Sequence, residues 1–284
     1  MNLKNIILTI VAIVAMVSSS KSQTSEFPFK VDKDGQGKKN IIFIPGFASS
    51  GEVWNETQKE LGNDYTSYIL TMPGFAGVPA QANPTFKAWR DLIIEFIKKE
   101  NISNPIIIGH SLGGVMAMDI AATAPELISK IIVVDAVPCL VALNNPAFKS
   151  NPDIDCSQMV EQFKNITDAQ FLAMQKQGVG SMVSDSAKQN LVLDWTLKSD
   201  RSTFAKIYCD FSNMDVREDI KKITCPALIL LNSGFSHIKP MIEQQYSSLK
   251  TADIQYADQS LHFIMFDAKD WYMQQLLNFI NNGV

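Results

Sequence analysis

Short apolar runs alternate with helical stretches along the chain from Lys39 onward. The runs are dense in Ile, Val and Leu, as is typical of strands that are covered on both faces. Six runs predict strands, at Asn40–Ile44, Ser67–Thr71, Pro105–Gly109, Lys130–Val134, Pro226–Leu231 and Ala252–Ala257. Apolar residues at helical spacing predict helices at Phe86–Lys99, Leu112–Ala124, Met241–Leu249 and Trp271–Ile280. This alternation predicts an α/β fold with a mostly parallel sheet and flanking crossover helices.

A different pattern precedes the first of these strands. Phe27, Phe29 and Val31 alternate with polar residues, and a turn follows at Gly35. Alternation of this kind is typical of a strand with one buried face. We predict a short antiparallel strand at the edge of the sheet.

Residues 138–222 interrupt the alternation, because no further strand of this type occurs there. Instead, large apolar residues recur at helical spacing, at Met159, Phe163, Phe171, Met174, Met182, Leu191 and Trp195. We predict a helical cap over the carboxyl edge of the sheet, inserted between core segments 23–137 and 223–284. Ordinary packing also explains the methionines, since Met commonly fills gaps in cores.

The first 22 residues have the pattern of a secretory signal peptide. Lys4 precedes an apolar run from Ile6 to Val17, which is short for a membrane span of about 20 residues. Cleavage between Ser22 and Gln23 would leave small residues at the positions that the peptidase reads. We expect a secreted or periplasmic protein without a membrane span after processing, and an uncleaved anchor is the alternative.

Composition narrows the class of partner. The 284 residues carry a net charge of -4, so the chain lacks the basic surface of a nucleic-acid-binding protein. We therefore expect a small-molecule substrate. The pattern implies no metal and no organic cofactor, since C-x-x-C pairs and His-rich clusters are absent from the sequence.

The four cysteines bear on the cellular compartment. In an oxidising compartment Cys139, Cys156, Cys209 and Cys225 could pair in three ways, and the sequence does not choose among them. Four buried thiols are the alternative.

The strongest chemical motif surrounds Ser111. A predicted strand runs into Gly109-His110-Ser111-Leu112-Gly113, and a helix rich in Ala and Met follows. This is the G-x-S-x-G pattern between a strand and a helix, in which a strained turn exposes the serine hydroxyl. We predict that Ser111 is a nucleophile.

A serine nucleophile needs a base, and the chain has three histidines. His110 adjoins the serine on a tight turn, where its side chain points elsewhere, so we expect it to pack in the core. His237 follows the fifth core strand. His262 lies between the last strand and the last helix, as the order Ser, acid, His requires, and we predict that it is the base.

The chain from about Asn40 onward resembles the α/β-hydrolase superfamily. Five segments carry the resemblance in order: "FIPGFASSGEVW", "TMPGFAG", "GHSLGG", "CPALILL" and "SLHFIMFD". The resemblance implies the fold and a hydrolase, and it implies that the main-chain amides of Phe47 and Leu112 form the oxyanion hole. The substrate is much less constrained by these motifs.

The acid departs from the superfamily's usual position. It normally lies in the loop after the strand Ala227–Leu231, but residues 232–242 contain neither Asp nor Glu. Asp135 follows the strand Lys130–Val134, a position that carries the acid in some families of the superfamily, and we predict it as the triad acid. The alternatives are Asp258 and Asp267, of which Asp267 is expected to cap the last helix.

These residues predict a secreted serine hydrolase that cleaves a small ester, or alternatively a lactone or amide, through an acyl-enzyme. Two other interpretations remain. One is cofactor-free perhydrolysis, as in haloperoxidase-like members of the fold. The other is a ligand-binding protein without turnover, which the vacant acid loop favours.

Overall fold

The computed structural model of the protein describes residues 26–281, so the predicted signal peptide lies outside the described residues. The described chain forms one seven-stranded sheet. Its strands are β1 Lys30–Asp34, β2 Lys39–Ile44, β3 Tyr65–Thr71, β4 Ile106–His110, β5 Lys130–Val134, β6 Ala227–Leu231 and β7 Ala252–Tyr256.

The spatial order of the strands is β1-β3-β2-β4-β5-β6-β7. β1 pairs antiparallel with β3, and the other pairings are parallel. β4 and β6 are buried at every position, which explains their continuous apolar sequences. The predicted mostly parallel α/β fold is confirmed, as is its antiparallel edge strand.

Helices cover both faces of the sheet, and four further helices lie in the segment between β5 and β6. In chain order the helices are α1 Asn55–Leu61, α2 Phe86–Lys99, α3 Leu112–Thr123, α4 Ser157–Asn165, α5 Asp168–Val179, α6 Ser186–Leu197, α7 Arg201–Ser212, α8 Ser233–Ser236, α9 Lys239–Tyr246, α10 Ile264–Asp267 and α11 Lys269–Asn281. α2, α3 and α9 pack on one face, and α1, α10 and α11 pack on the other.

The helix α3 is buried from Leu112 to Ala122, as its almost entirely apolar sequence requires. One charged residue within it, Asp119, pairs with Arg90 of α2 at 3.0 Å, and both side chains are largely buried. The pair fixes α2 against α3, the helix that follows Ser111.

Most predicted boundaries differ from the observed ones by one to three residues, and two differences have a local explanation. β1 begins at Lys30, and the aromatic residues Phe27 and Phe29 precede it as a buried stack whose ring centroids are 5.3 Å apart. α9 begins two residues earlier than predicted, at Lys239, because Pro240 lies in the first helical turn, where its missing N–H costs no hydrogen bond.

The four helices α4 to α7 lie within the insertion predicted for residues 138–222. Cys156, at the start of α4, forms a disulfide with Cys209 of α7. Cys139 and Cys225 are free and buried, and burial raises the pKa of the Cys225 thiol to about 11. The cysteines therefore divide into one bridge and two inert thiols.

The helices between residues 26 and 281 are each too short or too polar to cross a membrane.

Candidate active site

Ser111 lies at the junction of β4 and α3 in a strained conformation, with φ 54° and ψ -120°. Its main-chain amide donates to the Val134 carbonyl oxygen of β5 at 2.9 Å, which continues the sheet pairing up to the serine. A Cβ on Gly113 would lie 2.2 Å from the Ile44 carbonyl oxygen, so only glycine allows α3 to begin this close to β2. The half-buried serine therefore stands at the carboxyl edge of the sheet.

His262 and Asp135 contact each other beside this turn. His262 Nδ1 lies 2.6 Å from Asp135 Oδ2, and the Asp135 side chain is fully buried. Asp135 has φ 51° and its amide donates to the Leu230 carbonyl oxygen at 2.8 Å, so its position is set by β6 as well as by β5. With Nδ1–H donating to the carboxylate, the lone pair of Nε2 is left to accept a proton.

The two alternative acids lie elsewhere. Asp258 is exposed. Asp267 accepts hydrogen bonds from the Leu261 amide at 2.9 Å and from the Ser184 amide at 3.0 Å. Its expected role as the cap of the last helix is wrong. The carboxylate instead joins the loop of His262, here called the histidine loop, to Ser184, which precedes α6.

His110 is fully buried beneath His262. Its Nε2–H donates to the His262 carbonyl oxygen at 3.0 Å, and the centroids of the two rings are 4.6 Å apart. Burial, and secondarily the neighbouring His262, lower the pKa of His110 well below 6.5. Sequence reasoning assigned His110 to packing alone and missed this hydrogen bond, which holds the main chain of the predicted base.

Two main-chain amides, those of Phe47 and Leu112, were predicted to form the oxyanion hole, and both are free to donate. Leu112 is the first residue of α3, where an amide has no acceptor within the helix. The Phe47 amide, in the turn after β2, has no hydrogen-bond partner within residues 26–281. Ala48 follows with φ 52°, and the Ser49 hydroxyl donates to the Phe47 carbonyl oxygen at 3.2 Å, so the turn is fixed locally.

A cavity of about 590 Å³ joins these residues to the insertion. Ser111, His262 and Phe47 line it from the core, and helices α4 to α7 supply aromatic and aliphatic residues. The Phe47 ring lies 4.5 Å from that of Phe204 on α7. Asp135 is the one carboxylate among its described lining residues, which include no Lys or Arg.

The sequence analysis had singled out some of the residues that line the cavity. Phe163, Met174 and Met182, noted for their helical spacing, all face the cavity. Asn232, which donates to both oxygens of Asp135, was not identified, although its position directly after β6 could have indicated it. No group of three or more His, Cys, Asp or Glu residues in the described chain is placed to hold a metal ion.

Known proteins resemble this chain over most of its length. The family model described as "Alpha/beta hydrolase family" matches residues 41–274. The pimeloyl-[acyl-carrier protein] methyl ester esterase of Aliivibrio fischeri (strain MJ11) is 24% identical over 261 residues, which cover 87% of this chain and 95% of the relative. The protein of the same name from Vibrio cholerae is 23% identical over 250 residues, covering 86% and 95%.

Among solved structures, an esterase from Exiguobacterium antarcticum superposes with a TM-score of 0.73 at 16% identity, over 89% of this chain and 96% of that one. At this identity the superposition establishes the fold. Because the family model matches the chain from within β2 to within α11, well over half of its length, the chain belongs to the alpha/beta hydrolase family.

Proposed function

We propose that the protein is a secreted serine hydrolase that cleaves carboxylic esters through an acyl-enzyme. The observation that carries the proposal is the 2.6 Å contact between His262 and the buried Asp135, at the same cavity as Ser111. A buried carboxylate that orients an imidazole beside a strained serine is the arrangement that activates a hydroxyl nucleophile. The relatives named as esterases support the reaction class.

In the proposed mechanism, Ser111 Oγ attacks the ester carbonyl while His262 Nε2 accepts the hydroxyl proton. Asp135 keeps Nδ1–H in place and stabilises the imidazolium. The amides of Phe47 and Leu112 donate to the oxyanion. His262 then protonates the leaving alcohol, and a water molecule deprotonated by His262 attacks the acyl-enzyme to release the acid and free Ser111.

The cavity favours an uncharged, apolar acyl group. Its lining is mostly aromatic and aliphatic, and it offers no cationic side chain for a carboxylate or phosphate on the substrate. Leu140, Met174 and Tyr208 belong to the lining and are exposed, so the cavity mouth is apolar as well. The relatives named for a pimeloyl methyl ester are consistent with a straight aliphatic chain in this space.

The test uses a fluorophosphonate probe followed by nitrophenyl esters of increasing acyl length. We expect wild-type protein to be labelled at Ser111 and to hydrolyse neutral esters. Asp135→Asn should lower kcat by about 10⁴, because the imidazole loses the partner that sets its tautomer. Asp258→Asn is the matched control and should retain activity, since Asp258 is exposed and does not line the cavity.

Three outcomes would contradict the proposal. Labelling that is absent, or that persists undiminished in His262→Ala, would exclude a His-activated serine. Loss of activity in Asp258→Asn with retention in Asp135→Asn would exclude Asp135 as the acid. Tight binding of esters without release of product would favour the ligand-binding alternative. Adding peroxide to the same assay tests perhydrolysis, which would appear as formation of peracid.

Export is the second part of the proposal. The sequence supports it through the pattern of residues 1–22. The disulfide between Cys156 and Cys209 adds support, because such bonds persist in oxidising compartments.

We expect the full chain, expressed in a bacterium with a secretory pathway, to be recovered outside the cytoplasm with Gln23 at its N-terminus. Fractionation and N-terminal sequencing measure this. The control replaces Ile10 and Val14 with Asp, which interrupts the apolar run and should retain the unprocessed chain in the cytoplasm. Recovery of unprocessed wild-type chain in the cytoplasm would contradict export.

A further inference from the structure

Asn232 follows β6 directly, and both ends of its side-chain amide are engaged. Nδ2 donates to Asp135 Oδ2 at 2.7 Å, and Oδ1 accepts from the Gly234 amide at 2.7 Å at the start of α8. The reverse orientation would place a donor against a donor at α8 and an acceptor against the carboxylate. The hydrogen bonds therefore allow one orientation of the amide.

The main chain of Asn232 holds the other carboxylate oxygen. Its amide donates to Asp135 Oδ1 at 2.7 Å. Three donors thus face Asp135, two from Asn232 and one from His262, and the side chain that they surround is fully buried. A buried carboxylate depends on such donors to stay ionised and in one orientation.

Asn232 Nδ2 and His262 Nδ1 donate to the same oxygen, Oδ2, at 2.7 and 2.6 Å. The side chain of Asn232 therefore lies next to the imidazole, separated from it by one oxygen atom. Asp135 itself has a positive φ, a conformation that persists only where the surroundings enforce it.

We propose that Asn232 is a positioning residue for the acid, and that Asp135 and Asn232 form a complementary carboxylate–amide pair whose members can be exchanged. The proposal rests on the proposed function, in which Asp135 orients His262.

Each hydrogen bond of the pair has a counterpart after exchange. Asn at position 135 would accept from the main-chain amide of residue 232 with its Oδ1, and its Nδ2 would donate to Asp at position 232. That aspartate would accept from His262 Nδ1, and it would also cap α8, a position that aspartate favours. In Asp135→Asn alone, the new side-chain Nδ2 would face two other donors, Asn232 Nδ2 and His262 Nδ1, with no acceptor between them.

The first experiment separates positioning from capping. Asn232→Ser keeps a side-chain acceptor that suits the first turn of α8 but removes the donor to Asp135 Oδ2. We expect kcat to fall by about tenfold to a hundredfold with KM for the ester little changed, as for one lost hydrogen bond to a charged group. A role limited to capping α8 predicts wild-type kcat and would overturn the proposal.

The matched control is Asn213→Ser. Asn213 also makes two side-chain hydrogen bonds, to the main chain of Asn151, but it lies outside the cavity lining. Its kcat should equal that of the wild type. Thermal unfolding of both variants shows whether a loss of activity reflects unfolding.

The second experiment is the exchange itself. Asp135→Asn combined with Asn232→Asp should recover at least about tenfold of the kcat lost in Asp135→Asn alone, since a carboxylate is again beside His262. A structural role of Asn232 predicts no recovery, because the double variant carries both substitutions. A double variant no more active than Asp135→Asn would contradict exchangeability.

A third measurement distinguishes failure of this proposal from failure of the proposed function. The His262 Nδ1 proton is observed by NMR without turnover. We expect its exchange with solvent to be slow in wild type, fast in Asp135→Asn and slow again in the double variant. If the three proteins show this slow, fast and slow order of exchange but the wild type hydrolyses no ester, the proposed function is refuted and the Asp135–Asn232 pair is supported. If the wild type hydrolyses esters but the exchange rates do not follow this order, the proposed exchange of Asp135 and Asn232 is refuted.

Discussion

Three residues that shape the active site have a positive φ although none is glycine. Ala48, Ser111 and Asp135 follow β2, β4 and β5, with φ of 52°, 54° and 51°. Strained backbone of this kind is maintained where the surrounding structure enforces it, and it concentrates at functional sites. All three residues line the same cavity.

At the same scale, His110 makes stability depend on pH. Its lowered pKa keeps the ring neutral in the folded protein, while the unfolded chain binds a proton below about pH 6.5. The unfolded state then holds more protons, so the free energy of unfolding falls as the pH drops below 6.5. This one group contributes up to about 1.4 kcal/mol per pH unit, and its contribution is constant above that pH.

We expect His110→Gln to weaken this dependence, because glutamine does not ionise. Urea unfolding between about pH 5.5 and 7.5 measures the slope for both proteins. His237→Gln is the control, since His237 is exposed. Equal slopes for wild type and His110→Gln would show that His110 is not the buried neutral group.

At the scale of elements, the junction of β4 and α3 determines the position of Ser111, the proposed nucleophile. The start of α3 packs directly on the end of β2, the strand that also leads into the Phe47 turn. The close contact between α3 and β2 therefore anchors both Ser111 and the turn of Phe47, the proposed oxyanion donor. The histidine loop is fixed separately, by Asp267 and by the His110 hydrogen bond.

Gly113→Ala should therefore damage both stability and activity. Its Cβ would lie 2.2 Å from the Ile44 carbonyl oxygen and would push β2 and α3 apart. We expect a loss of about 1–3 kcal/mol or more in the free energy of unfolding, measured by chemical denaturation, together with loss of probe labelling.

Gly180→Ala is the matched control for that experiment. Gly180 has φ -64°, and nothing lies within 4 Å of an added Cβ, so alanine fits without strain. The variant should be as stable as the wild type or slightly more stable. A Gly113→Ala protein that unfolds like this control would contradict the close packing of α3 on β2.

At the scale of the whole molecule, the insertion encloses one side of the cavity and a disulfide braces it. The bond between Cys156 and Cys209 joins α4 to α7, and it spans 53 residues of sequence. The rings of Phe163 and Phe204, on the same two helices, stack with centroids 5.4 Å apart and line the cavity. The bridge therefore braces the wall of the cavity that the proposed substrate would enter.

Removing the bridge should lower stability. In the chain-entropy treatment a loop of this length corresponds to about 4 kcal/mol, an upper value because strain and residual structure reduce it. We expect a protein with both Cys156→Ala and Cys209→Ala to have a lower Tm than wild type, and reductant to lower the Tm of wild type only. If reductant lowered the Tm of the double variant by the same amount, the effect of reductant on the wild type would not come from this disulfide.

The acid shows how far sequence reasoning reached. Chain order and motif context indicated Ser111 and His262. Asp135 was predicted as the acid from its position after a core strand, with Asp258 and Asp267 as alternatives because both lie near the histidine in sequence. The structure distinguishes them by their contacts. Asp135 lies 2.6 Å from His262, whereas Asp267 accepts from the Leu261 amide at 2.9 Å. The hydrogen bond of His110 gave no sequence signal, since a histidine beside the serine is not diagnostic of positioning. Asn232 did have a signal, its position directly after β6, but the sequence analysis did not use it.

The sequence by itself determined the order of strands and helices, the serine turn and the apolar character of the insertion, because hydrophobic periodicity and glycine spacing are local properties. The tertiary structure alone decided which carboxylate meets His262, which cysteines join and what encloses the cavity. These depend on contacts between residues far apart in the chain, such as Asp135 with Asn232 and Cys156 with Cys209. Strand packing sets such distances, and no local pattern encodes them.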